Sequence, residues 1–179
     1  MTNQEPKSGW NTLSANAKIA AIIGGIVLVI IVIAMAGGNN NPTPTPTTEA
    51  TSTTISGGQQ WSDWKSTFQP ELSQFQADYT TTTADLTNGD ASAANNDFAT
   101  LSQDASAMNA LATSPDTTVN ADVQQLCADI QALSSEGIQS IANIQNGGSM
   151  TQGFSDSASA IGNDINNLSS ALSNANSIY

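Results

Sequence analysis

The sequence predicts an all-α protein: an N-terminal single transmembrane helix, a disordered Thr/Pro linker and an antiparallel up-down four-helix bundle. Three observations carry this expectation. Residues 19–36 form an uncharged apolar run, residues 37–58 are rich in Thr, Ser and Pro, and residues 59–179 repeat apolar side chains every three or four positions. The expected divisions are 1–18, a short cytoplasmic N-terminus; 19–38, a signal-anchor helix; 39–58, a flexible stalk; and 59–179, an exported acidic bundle.

The apolar run reads IAAIIGGIVLVIIVIAMA and carries no strong hydrogen-bonding side chain. At a helical rise its eighteen residues span about 27 Å, close to the roughly 30 Å hydrocarbon core of a bilayer. Gly37 and Gly38 extend the span slightly, and Trp10 is positioned to rest in the interface. A buried core helix of this length would show a polar stripe, and this run has none. Lys7 and Lys18 precede the run and no Lys or Arg follows until Lys65. The positive-inside rule therefore puts the N-terminus in the cytoplasm, the span in the plasma membrane and the C-terminal part outside. Ala34-Met35-Ala36 imitates the end of a cleavable signal peptide. The run exceeds the usual signal-peptide core, which favours an uncleaved anchor. No Cys directly follows it to accept a lipid.

The stalk alternates Pro42, Pro44 and Pro46 with Thr and continues with Thr and Ser. Such a segment blocks helix, favours extended polyproline II and has too few apolar groups to build a core. Its Ser/Thr/Pro composition permits O-glycosylation without specifying it. The glycine pairs Gly37-Gly38 and Gly57-Gly58 are expected to act as swivels at its ends.

Four amphipathic blocks follow. The first carries Trp61, Trp64, Phe68, Leu72, Phe75, Tyr79 and Leu86, and the second Ala91, Ala94, Phe98, Leu101, Ala105, Met108 and Leu111. The third carries Val119, Val123, Leu126, Ile130, Leu133, Ile141 and Ile144. The fourth carries Phe154, Ala158, Ile161, Ile165, Leu168, Leu172, Ala175 and Tyr179. Steps of three and four place each set on one helical face. Asn88-Gly89 should end the first helix and Asp90 cap the second. Ser114-Pro115 should open the third, Asn146-Gly147-Gly148 should close it, and Ser149-Met150-Thr151-Gln152 reads as a capping box for the fourth. Pro70 should kink or restart the first helix. Short connections imply antiparallel neighbours. Trp61, Trp64 and Tyr179 then fall at the stalk end, and Leu86, Ala91, Ile144 and Phe154 at the far tip.

Composition excludes several functions. The 179 residues include 3 Lys+Arg, 15 Asp+Glu, no His and one Cys, for a net charge of −12. Without His there is no Ser-His-Asp or Cys-His catalysis and no His-based zinc site. One cation beyond the apolar run cannot make a nucleic-acid surface. No phosphate loop, heme motif or redox Cys pair is present, so no cofactor is expected. A slender bundle offers no obvious cleft for paired-carboxylate hydrolysis, and the chain is expected not to be an enzyme.

The carboxylates are periodic. Glu71, Asp78 and Asp85 are seven apart, as are Asp90, Asp97 and Asp104, and Asp122, Asp129 and Glu136. With Phe68 at heptad position d and Leu72 at a, all of these and Asp164 fall at g, flanking the core. Three readings compete: a solvated acidic rim, hard-cation binding, and adaptation to high salt, low pH or a cationic wall polymer. Asn88 and Asp90 are weak metal candidates, because Asn88-Gly89-Asp90 resembles only a fragment of a calcium loop. Trp61 and Trp64 are candidate partner contacts, against the alternative that they close the core. Cys127, at e, is a candidate for an intermolecular disulfide, which would give a homo-oligomer, against the alternative of a small buried hydrophobe. Asn167-Leu168-Ser169 is a glycosylation sequon with Asn167 facing outward.

The expected role is non-catalytic interaction or structure at the cell surface. The partners are the lipid bilayer, through residues 19–38, and an unknown protein or cell-envelope component. The alternative is an extracytoplasmic ligand- or divalent-cation-binding sensor subunit. A head with only 18 residues inside and no second span would need a coupled subunit to signal.

Overall fold

The computed structural model describes residues 56–179, which form four helices with no strand among them. These are α1 (Gly57–Asn88), α2 (Ala91–Ala110), α3 (Thr117–Gln145) and α4 (Gln152–Ile178). The expected N-terminus and anchor, and the stalk up to residue 55, lie outside the described residues. None of the described helices is long and apolar enough to cross a membrane.

Helix α1 begins earlier than expected. Ser56 caps it, its side chain accepting from the Gln59 amide. Gly57 and Gly58 therefore form the first turn rather than a swivel. A Cβ on Gly58 would crowd the backbone oxygen of Tyr179, so the pair admits a close approach between α1 and the end of α4. Helix α1 also runs through Pro70 without interruption. Pro70 is on the exposed face, so the carbonyl of Ser66, which its missing N–H leaves free, is open to water. Tertiary packing of the flanking Phe68 and Leu72, both buried, holds the helix on either side.

Three connections join the helices. The first is tight: Gly89 caps α1 at φ 77°, and Asp90 caps α2 by accepting from the Ala93 amide. The left-handed conformation at Gly89 is one that L side chains adopt at a cost, which is why Gly stands there. The second differs from expectation. Asp116, not Ser114, caps α3, and its Oδ1 accepts from the amides of Thr118 and Val119. Pro115 thus precedes the helix instead of occupying its first turn. Ser114 instead locks the loop: its amide donates to Asn120 Oδ1, and Asn120 Nδ2 donates back to its carbonyl. At the third connection Thr151, not Ser149, caps α4 by accepting from the Phe154 amide.

Consecutive helices pack along one another, and the cross-contacts show that they run antiparallel. Trp64 near the start of α1 donates through Nε1 to the carbonyl of Leu111, just past the end of α2. Phe98 in α2 meets Phe154 in α4 edge to face. Helices α1 and α4 meet where Trp61 Nε1 donates to Asn176 Oδ1. One core runs through the interior, with Phe75, Tyr79, Phe98, Leu126, Ile130, Leu133 and Ile161 fully enclosed. Gly137 in α3 sits against the Phe98 ring, where even a methyl group would overlap it. The expected core positions Ala91, Leu111 and Ile144 are only half-buried, because they lie at helix ends where fewer neighbours cover them, and Leu172, further inside α4, is half-buried too.

Candidate functional site

The end holding Gly57 and Tyr179 is built from aromatic rings. Tyr179 stacks on Trp61, Trp61 on Trp64 and Trp64 on Phe68, with centroids 5.6, 5.0 and 4.8 Å apart. The helical spacing of 61, 64 and 68 puts the three α1 rings in one column. Each polar handle is used. Both indole N–H groups donate within the domain, and the Tyr179 hydroxyl donates to the Pro115 carbonyl. Lys65 lies 5.6 Å from the Trp61 ring centroid and donates to Asn176 Oδ1. Trp61 and Trp64 are 3% and 7% exposed. In this structure both rings pack into the core at this end.

At the opposite end a polar chain pins α4 to α3. Thr151 Oγ1 donates to Glu136 Oε2, and the Thr151 amide donates to Ser140 Oγ. The Thr151 proton is committed to Glu136, so the Ser140 hydroxyl donates to Thr151 Oγ1. Gly153 leaves room for the Glu136 carboxylate. Glu136 is thus engaged in a cap rather than free.

The remaining expected residues are scattered. Asn88 and Asp90 are exposed at the α1–α2 turn, and one Asp90 oxygen serves the α2 cap. No group of three or more His, Cys, Asp or Glu among the described residues is arranged to hold a metal ion. Asn167 is exposed on α4. Cys127 is 2% exposed, and burial pushes its thiol up to about 12. An intermolecular disulfide through Cys127 therefore requires α3 to expose its core side.

The arrangement that stands out is electrostatic. Position g of one helix meets position g of an antiparallel neighbour, and here that pairing sets acid against acid. Across α1 and α2 the carboxylates alternate along the seam as Glu71, Asp104, Asp78, Asp97, Asp85 and Asp90. Burial pushes the Asp104 carboxyl up to about 6, aided by the charge of Asp78, a hydrogen bond with it and the charge of Glu71. Asp97 is raised by burial, then by a hydrogen bond with Asp85 and the charges of Asp85, Asp78 and Asp90. Across α3 and α4 burial pushes Asp164 up to about 7, with a hydrogen bond to Asp129 and the charges of Asp129 and Asp122 adding to it. The e positions are neutral: Gln69, Gln76 and Thr83 on α1, Asn95 and Ser102 on α2, Cys127 and Ser134 on α3, Gly162 and Ser169 on α4. The g-position acids are therefore confined to the α1/α2 and α3/α4 seams, and the other two seams are uncharged along these e positions.

Sequence reasoning placed Asp164 at g but missed its burial; it is 7% exposed. Tyr79 is buried in the core, with its hydroxyl unpartnered in the structure. Desolvation holds that hydroxyl well above the ordinary tyrosine range.

Compared with protein-family models, curated proteins and solved structures, the chain matches none. The structure thus defines a class by its own geometry: an all-α, four-helix domain, aromatic at one end and acidic along two seams.

Proposed function

We propose that this chain is a single-pass membrane-anchored protein whose four-helix head projects from the outer face of the plasma membrane on a Thr/Pro stalk. Its role is interaction or structure at the cell surface, without catalysis. The observation that carries the reading is the uncharged run 19–36 set beside a highly acidic, cation-poor head. Residues 19–38 span the bilayer with Lys7 and Lys18 inside, and residues 39–55 hold the head away from the headgroups. A head whose acids nearly all lie outward or along seams is repelled by anionic lipid and stands clear of it. Its side chains are short and polar, with no His and one buried Cys, which supports a binding or structural part over a catalytic one.

Fractionation with protease shaving of intact cells tests this reading. The full chain should sediment with membranes, and external protease should remove the head. Deletion of residues 19–38 should leave the head in the soluble fraction. An intact full-length chain freely dissolved in the cytosol would overturn the proposal.

A further inference from the structure

Three carboxylate oxygens in the head are sealed from solvent with no hydrogen-bond donor in reach: Oδ2 of Asp97, of Asp104 and of Asp164. Two sit on α2 and one on α4, and each of these carboxyls faces an acid across its seam. A sealed carboxylate oxygen without a donor is costly, and a second carboxylate opposite makes it more so. A proton resolves both defects: it removes one charge and supplies the missing donor, so that carboxyl and carboxylate share one hydrogen bond.

We propose that the two acidic seams form a proton-operated clasp. Uptake of protons between Asp164 and Asp129, and along the zigzag from Glu71 to Asp90, binds α4 to α3 and α2 to α1. Their loss sets like charges against each other and loosens both pairs. The inference concerns the head alone and stands whether or not the chain is membrane-anchored.

The groups around each proton site are few. Asp164 faces Asp129 and Asp122 from α3. From α1, the nearest cation contact on α4 is Lys65 at Asn176, about three turns away along the helix. Asp104 faces Asp78 and Glu71 from α1, and Asp97 faces Asp85 and Asp78 from α1 with Asp90 from the turn. On its other flank α2 meets α3. The titratable group there by heptad position is the Cys127 thiol, raised to about 12 and neutral throughout. No cation from a neighbouring helix is set against these acids, since Lys65 is the one Lys or Arg in residues 56–179.

The sign follows from linkage. Groups whose affinity for protons is higher folded than unfolded add stability that is complete below their unfolded values, near 4, and is lost as pH rises through 6 and 7. Thermal melts of the full chain in a non-ionic detergent, followed by far-ultraviolet circular dichroism from pH 8 to pH 5 at constant ionic strength, read this directly. The midpoint should rise by roughly 5–10 °C as pH falls.

Asp164→Asn and Asp104→Asn carry an amide in place of the shared proton. Each should raise the midpoint at pH 8 and flatten the profile. Asp63→Asn and Asp156→Asn remove the same charge from exposed sites and should leave the slope unchanged. A flat wild-type profile overturns the clasp. So does an equal flattening by the exposed controls, which would make the effect general charge repulsion. Should calcium at pH 8 match the gain from acid, and Asp164→Asn abolish it, the seam would be a cation site and the proton reading would fall.

Discussion

Single side chains decide how closely these helices approach. Gly137 lies under the Phe98 ring, and a Cβ there has no room. Gly137→Ala gains helix propensity of about 1 kcal/mol but forces the ring aside, and overpacking of this kind costs about 1–3 kcal/mol. The net loss should be about 1 kcal/mol, read as a lower midpoint in urea with an unchanged slope. Pairing it with Phe98→Leu should recover part of that loss. Cys127 is a second case. Buried, and with its thiol raised to about 12, it should resist alkylation in the native head and react at once in denaturant. Rapid native labelling would show that α3 opens on its core side. Thr151 is a third, since it caps α4 and also ties Glu136 to Ser140. Thr151→Ala should cost about 1–2 kcal/mol, with Thr151→Ser recovering most of it.

At the scale of the element, α1 is instructive because it contains a residue that local rules would expel. Pro70 lies on the exposed face of a 32-residue helix, between two buried neighbours on the core face. Its missing N–H and ring clash are tolerated because packing on the opposite face sustains the helix. Pro70→Ala should therefore stabilise the head. The gain in helix propensity is about 3 kcal/mol, less about 1 kcal/mol for the freer unfolded chain, leaving about 2 kcal/mol. A measured loss would mean that Pro70 shapes α1 in a way the packing needs. The helix starts teach a related lesson. Ser114, Asp116, Ser149 and Thr151 are all competent caps, and local chemistry ranks them nearly alike. Asp116 and Thr151 are used because Ser114 is held by Asn120 and because Thr151 reaches Ser140 and Glu136.

For the whole molecule, charge is the governing quantity. The head carries nearly all of the chain's acids and a single cation, so its long-range electrostatics oppose compactness. Added salt screens that repulsion. The melting midpoint at pH 8 should accordingly climb with sodium chloride, the reverse of what a domain held by surface ion pairs would show. A falling midpoint would mean that attractive pairs dominate. The same view explains why the acids sit at seams and not in the core. At g they retain partial hydration, and only Asp164 is buried deeply enough to count among the enclosed residues. The aromatic column supplies stacking and buried area at the end of the bundle that holds Trp61 and Tyr179.

Much of this was legible in the linear chain. The four helices, their apolar faces, the Gly89 stop and the Asp90 cap follow from periodicity and turn chemistry, which act over a few residues. The heptad register of the acids was legible for the same reason. Three things were not. The identity of the working cap at α3 and α4, the continuity of α1 through Pro70 and the sealing of Asp97, Asp104 and Asp164 each depend on what another helix brings within reach. Local pattern determines which face a residue occupies; only the packing of distant segments decides how much water that face keeps, and on that water the charge of a carboxyl depends.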